Sequence, residues 1–310
     1  MGLKQMRPDM HDEGGFILVV VLSICILLAL VAAVFSRAVQ SYLREASGIT
    51  HSAQAEFAAD AGVNIAALEL ATERDTGRTP RFSIDGTEWA CHTEEGIELV
   101  IAVQEAGGKI NLNLANDQLL SALFVGLGAT PVSATLFADR IIDFRDRDDD
   151  RRINGAEHDE YLAAGETWGP KNTAFDSREE LHQVLGLDPG MIEAIWPYVT
   201  LYSGTAGLDP ETTSARLADI VTRGYGQLPH ADVSSLAQGR LPSEFIVASG
   251  RHFFEVTVAA RMDGGATFVR EAGFEIPTGK GAMPVFKIWN RARRTSQQRQ
   301  WPSTTGLPRC

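Results

Sequence analysis

The chain has 310 residues, of which 44% are hydrophobic and 22% charged, with a formal net charge of −12 and three cysteines. The acid excess argues against broad nucleic-acid binding, which needs clustered Lys and Arg, and three cysteines exclude a disulfide-rich scaffold. The length allows two domains beyond an anchor, each with a core.

The first fifteen residues, MGLKQMRPDMHDEGG, are polar, and Phe16 to Phe35 then carry no charge. About 20 residues at ~1.5 Å rise give a helix of roughly 30 Å, the thickness of a bilayer's hydrocarbon core. Three readings are open. A secretory signal has an apolar region of only about 7–15 residues, so this run is too long for one, although Val31-Ala32-Ala33 is a passable cut. The second reading is an uncleaved anchor. The third is a signal cut before the apolar segment, at Gly15/Phe16, with the segment retained. Lys4 and Arg7 precede the run and Arg37 and Arg44 follow it, so the positive-inside bias gives no orientation.

Helix is expected to continue to about Ala71. Ala38, Tyr42, Ala46, Ile49, Ala53, Phe57, Ala61 and Ile65 recur every three or four residues and predict its apolar face. RFSIDGTEWACH reads as a hairpin, with Asp85-Gly86 supplying the positive φ of a tight turn. Ile97, Leu99, Ile101 and Val103 then alternate along a half-buried strand that stops at Gly107-Gly108. KINLNLAN follows, with Asn113 or Asn116 as N-cap of a helix through Leu119 to Val125.

From Asp117 to Tyr202 the pattern is helical. LLSALFVGLGATPVSATLFADRI and LHQVLGLDPGMIEAIWPYV each have the outline of a helix-hairpin-helix, but their turns carry Asp188 and almost no basic residue. No nucleic acid is expected as a partner. Neither G-x-S-x-G nor H-E-x-x-H occurs, and His158 and His182 are isolated, so no enzyme is expected.

Between those segments lies DFRDRDDDRRINGAEHDEYL. Asp146, Asp148 and Asp150 stand at alternate positions and Glu157 holds the twelfth place, the ligand spacing of a calcium loop. Arg152 would contribute its carbonyl and Asn154 its side chain, with Asp139, Asp143, Asp149 and Glu160 in reserve. The sixth place, where such loops have Gly, is Arg151. By spacing alone, a solvated loop whose arginines neutralise its acids is an equal reading.

Residues 203–242 show no clear pattern beyond a short helix over Ala215–Gly224 and a turn at Leu241-Pro242-Ser243. Strands return with Phe254, Val256, Val258 and Ala260, then Phe268, Arg270, Ala272 and Phe274, then Val285 to Trp289. The tail from 291 to 310 is basic and is expected to be flexible.

The Gly15/Phe16 junction resembles the class III signal of prepilins, in which the fifth residue after the cut is usually Glu. Here it is Val20. A buried carboxylate in a bilayer needs a partner, so a subunit with nothing assembled above it can dispense with the acid. With the I-N-x-N stretch of Ile110–Asn113 and the ending Gly155-Ala156-Glu157-x-Asp159-x-Tyr161, the chain resembles the K-type minor pseudopilins of type II secretion systems. A second I-N-x-N, frequent in that family, is matched only loosely by GLDPETTSARLADIV.

The resemblance implies an α+β, pilin-like fold: a long N-terminal transmembrane helix on a small antiparallel sheet, with a large all-helical domain inserted. It divides the chain into a leader (1–15), span (16–35), α+β body (36–110 and 241–290), insert (111–240) and tail (291–310). It implies cleavage by prepilin peptidase, N-methylation of Phe16, and structural Ca2+ at Asp146, Asp148, Asp150, Arg152, Asn154, Glu157 and Asp159. The implied partners are other minor pseudopilins, the major pseudopilin, the prepilin peptidase and the inner membrane, with a single-pass chain whose body is periplasmic. In an oxidising periplasm Cys91 and Cys310 are candidates for a disulfide. The expected function is a pseudopilus tip that initiates or caps the filament for export across the outer membrane. A type IV minor pilin and a membrane-anchored helix-hairpin-helix protein are the alternatives.

Overall fold

The computed structural model describes residues 14–93, 96–229, 241–262, 265–292 and 304–310. It forms two compact units, one up to Gln54 and one from Ala55 onward. Most of the leader therefore lies outside the described residues.

The first unit is the N-terminal part of helix α1 (Gly14–Thr76). From Ile17 to Phe35 its large apolar side chains are exposed. The one hydroxyl of the early run is satisfied internally, because Ser23 Oγ donates to Val19 O at 2.7 Å. Among the described residues this is the one helix long and apolar enough to cross a membrane.

In the second unit, residues 55–76 of α1 pack on a five-stranded antiparallel sheet. Its strands are β1 (Asp85–His92), β2 (Glu98–Glu105), β5 (Phe253–Arg261), β6 (Thr267–Glu275) and β7 (Val285–Arg291). They lie in the order β1-β2-β5-β6-β7. The period-2 pattern sends Leu99, Ile101, Val103, Phe254, Val256, Val258, Phe268 and Phe274 into the core beneath α1.

The helix face on that core is not the one predicted. Ala55, Ala59, Val63, Ala66, Ala67 and Leu70 are buried, whereas Phe57 is 71% and Ile65 46% exposed. Small residues decide this, since they let the helix axis approach the sheet. A Cβ on Gly62 would lie 2.9 Å from Val258 Cγ1. Of the predicted stripe, Phe57, Ala61 and Ile65 face away from the sheet.

The Asp85-Gly86 hairpin is also corrected. Gly86 does adopt φ +83°, but at an irregularity inside β1, where the register to β2 shifts between Asp85 and Glu88. The reversal comes later, with Thr93 N donating to Ile97 O at 3.0 Å.

All the helical elements of the insert fall between β2 and β5. Among the described residues they are α2 (Asp117–Gly126), α3 (Pro131–Arg145), α4 (His158–Ala163), α5 (Pro189–Ile195) and α6 (Ala215–Tyr225), with 3₁₀ turns at Arg178–Gln183 and Trp196–Tyr198 where the sequence pattern suggested α-helix. Two short strands, β3 (Ile110–Asn111) and β4 (Val199–Thr200), pair in parallel and tie the start of the insert to the end of its first helical run. Asn116, Thr130, Asp188 and Ser214 cap four of the helices. Helices α2 and α6 cross at backbone contact: a Cβ on Gly224 would meet Ala122 O at 1.9 Å.

One apolar cluster fills the insert, running from Ile110 to Phe245 and including Leu241, so the helical core reaches past the expected limit of 240. Sheet and insert belong to one compact unit. Their seam is polar. Lys109 Nζ donates to Glu255 Oε2 at 2.6 Å, Thr200 Oγ1 donates to Glu255 Oε1 at 3.0 Å, and Tyr202 stacks on Phe253 with ring centroids 4.1 Å apart.

The last residues of the expected flexible tail are tied to the sheet. Strand β7 runs to Arg291, and the final residues return to the opposite sheet edge. Ala90 N donates to Pro308 O at 2.9 Å, Cys310 N donates to Ala90 O at 3.2 Å, and Cys91 and Cys310 form a disulfide with Cα atoms 5.1 Å apart. Much of the tail between them, 293–303, lies outside the described residues.

Candidate metal centre

Helix α3 ends in an acidic turn. Asp139, Asp143 and Asp146 follow at spacings of four and three, and so share a face. The loop 146–157 then folds back on that face. Arg152 Nε donates to Asp139 Oδ1 at 3.0 Å and Arg152 N to Asp143 Oδ2 at 3.2 Å, while Asn154 Nδ2 donates to Asp139 Oδ2 at 3.0 Å. Gly155 permits the return, since a Cβ there would stand 1.8 Å from Asp143 Oδ2. Glu157 is the N-cap residue of α4, its N–H donating to Glu160 Oε2 at 3.0 Å.

After these bonds are made, five buried oxygens have no partner: Asp143 Oδ1, Asp146 Oδ1, both carboxylate oxygens of Glu157 and Asn172 Oδ1. Asn172 arrives from beyond α4, held at φ +51° by its N–H to Phe144 O at 3.0 Å and its Nδ2 to Asp149 Oδ1 at 2.9 Å. Orphaned buried acceptors are costly and call for an explanation.

The electrostatics agree. Burial, with the charges of Asp143, Asp146, Asp149 and Asp148, pushes the Glu157 carboxyl up to about 7. Burial pushes Asp143 up to about 6, against the N–H of Arg152 and with repulsion from Asp146. Burial, reinforced by Asp148, also raises Asp146. The donor set is oxygen only, the chemistry of a hard divalent cation such as Ca2+. No three acidic, His or Cys side chains among the described residues form a ready metal cluster. The arrangement is thus an open basket that an ion would have to draw in.

Of the residues predicted from spacing, Asp146 and Glu157 belong to this basket. Asp148 and Asp150 are exposed, with Asp148 Oδ1 accepting from Asp150 N at 3.0 Å, and Asp159 lies exposed in the first turn of α4. The Arg152 carbonyl accepts from Gly155 N at 3.1 Å, and Asn154 is spent on Asp139. Asp143 moves from reserve to the centre. Asn172 carried no sequence signal, because only the fold of residues 164–172 returns it to α3. At the N-terminus, Gly15 and Phe16 lie in the first turns of α1, their side chains outside the described residues, and Val20 is 39% exposed.

The I-N-x-N stretch builds the entrance to the insert. Asn111 Oδ1 accepts from Asn113 N at 2.8 Å. Asn113 bonds both backbone groups of Phe175, donating to its O at 2.9 Å and accepting from its N at 2.7 Å. Of the two candidate N-caps, Asn116 performs that task, accepting from Leu119 N at 2.8 Å.

Residues 99–204, from β2 to just past β4, match the family model described as "Type II secretion system (T2SS), protein K". The type II secretion system protein K of Klebsiella pneumoniae is 22% identical over 296 residues, covering 90% of this chain and 85% of that protein. Over these spans the chain is similar to the type II secretion system protein K family. A second protein K, from Dickeya chrysanthemi, is 32% identical over 82 residues, 26% of this chain and 22% of its own length. The fold is that of a chain in the crystal structure of the GspK–GspI–GspJ complex from enterotoxigenic Escherichia coli. The match has TM-score 0.53 and 17% identity, and covers 82% of this chain and 99% of that one. These protein K relatives are named as secretion-system components.

Proposed function

We propose that this chain is the minor pseudopilin at the tip of a type II secretion pseudopilus, initiating or capping the filament that serves protein export across the outer membrane. The observation that carries this reading is the uncharged run from Phe16 to Phe35, with apolar Val20 at the fifth position after Gly15. A subunit with another stacked above it would need an acid there to meet the neighbour's free amine. A subunit at the top has no such amine to meet, and a lone carboxylate would cost ~2.5 kcal/mol or more in the bilayer. Prepilin peptidase would cut between Gly15 and Phe16, and Phe16 would be N-methylated. The inner membrane holds the span, and the body stands in the periplasm, where an oxidising medium suits the Cys91–Cys310 bridge.

The partners are other minor pseudopilins and the major pseudopilin. The solved complex pairs a protein of this fold with two further chains, and the outward stripe of Phe57, Ile65 and Leu68 on α1 offers apolar area for a neighbouring helix. Within the insert, Asp143, Asp146, Glu157 and Asn172 would hold Ca2+. The ion supplies positive charge that stabilises mutually repelling carboxylates and rigidifies the head.

The mass and N-terminal residue of the membrane-extracted protein test the reading. An N-methylated Phe16 start is expected; an intact Met1, or a start near Val34, sinks it.

A further inference from the structure

The two edges of the sheet differ. The outer edge of β1 is closed by Pro308–Cys310 and the disulfide, whereas β7 pairs with β6 alone among the described residues. Native sheets blunt or cover open edges, because unpaired N–H and C=O groups template another strand. Strand β7 is exposed at every residue but Ile288, yet it presents Phe286 at 37% and Trp289 at 40%, beside Met283 at 72% exposure.

These rings are already in place. Phe286 packs edge-on to Phe274 and Trp289 at centroid distances of 5.3 and 5.1 Å, and the Arg270 guanidinium lies 5.2 Å from the Trp289 ring. Arg270 is itself anchored by Asp60 and Glu56. Exposed aromatic groups held in one geometry lose little entropy when covered, the usual make-up of a binding hot spot.

Charge indicates what would cover them. From Ile276 to Cys310 the sequence has seven Lys and Arg and no Asp or Glu, on a chain of net charge −12. Lys287 and Arg291 stand exposed on β7 itself. A second copy pairing through the same edge would bring these cations against each other with no acid on either β7 strand, the nearest being Glu271 and Glu275 one strand further in. A lipid surface would leave the row of backbone groups unpaired.

We propose that the outer edge of β7 takes up an extended, acidic strand of a partner protein by β-augmentation, with Phe286 and Trp289 covered and Lys287 and Arg291 paired. This goes beyond the filament role, since any partner with such a strand satisfies it.

A photoactivatable p-benzoylphenylalanine at Asn290 of the full chain, expressed in its native membrane, tests it. The expected product is a crosslink to a peptide of another protein that carries several Asp or Glu in a strand. The double variant Lys287→Glu/Arg291→Glu lowers the yield at least tenfold, while the equal charge change Arg78→Glu/Arg216→Glu, at two exposed sites off the β7 edge, leaves it unchanged; thermal melts confirm that both variants fold. A crosslink to lipid, to a second copy or to a peptide without acids overturns the proposal. So does a yield no greater than that of the same probe at Glu244.

Discussion

Arg270 on β6 donates from Nε to Asp60 Oδ1 on α1 at 2.6 Å, fastening the helix to the sheet next to Glu56, which the same guanidinium reaches at 2.8 Å. The Arg270 side chain is 8% exposed, Asp60 27% and Glu56 46%. Asp60→Ala strands a nearly buried cation and is expected to cost about 1–2 kcal/mol. Glu56→Ala removes a solvated partner and costs less than ~1 kcal/mol. Thermal melts of the two variants check the order, and equal losses would contradict it.

The two asparagines of the insert entrance separate in the same manner. Asn113→Ala leaves both the N–H and the carbonyl of Phe175 without their partner and is expected to cost about 2–3 kcal/mol. Asn116→Ala removes one helix cap, about 1 kcal/mol. Melting temperatures again decide, with Asn113→Ala the lower.

Calcium titration of chelator-treated protein is expected to raise the melting temperature. Glu157→Gln, Asp143→Asn and Asn172→Ala each weaken binding at least tenfold, whereas Asp150→Asn and Asp159→Asn leave it within about twofold. In the ion-free protein at pH 8, Glu157→Gln moves stability upward, because it removes a buried charge whose ionisation is already opposed. Calorimetric titration and melts of the same variants test both halves. Loss of binding in Asp150→Asn with none in Asn172→Ala would restore the regular loop read from spacing.

Glu105 gives a pH signature at the seam. It is 1% exposed. Burial raises its carboxyl above the usual range, with Asp209 adding to the rise and the Gly107 N–H, Ser249 and Thr212 opposing it. An acid with a raised folded-state value is penalised above that value, and the penalty disappears as pH falls toward the unfolded ~4.5. With calcium saturating, stability is therefore expected to rise on going from pH 8 to pH 5, and Glu105→Gln to flatten part of that rise. An unchanged slope in the variant would refute the assignment.

The disulfide predicts a thiol count. Alkylation of denatured, unreduced protein should add one label, at Cys25, which is free, and reduction should expose Cys91 and Cys310 as well. The bridge closes a loop of 219 residues in sequence separation, so Cys310→Ser is expected to lower stability by on the order of 3–5 kcal/mol. Mass spectrometry and melts check both.

Elements set by local periodicity were legible in the order of residues: the uncharged span, the alternating β2, β5 and β6, the short helix α6 and the capped start of α2. Each depends on neighbours within a turn or a strand pair, so local pattern suffices. Which face of α1 meets the sheet did not follow. Apolar size favoured Phe57 and Ile65, but close approach at Gly62 selects the small residues. Gly86 announced a positive φ without saying whether it served a turn or a bulge, because that depends on which strand lies opposite.

The cluster of unpartnered oxygens divides along the same line. Asp146 and Glu157 follow from loop spacing. Asp143 and Asn172 enter only because α3 and the segment after α4 pack together, leaving their oxygens buried without donors. Composition and pattern alone determined that this protein has a membrane-length apolar helix and an acidic loop inside a helical insert. Tertiary packing decided which acids lose their water, which helix face stays open and which sheet edge the chain's own end closes, since each depends on residues brought together from far apart in the sequence.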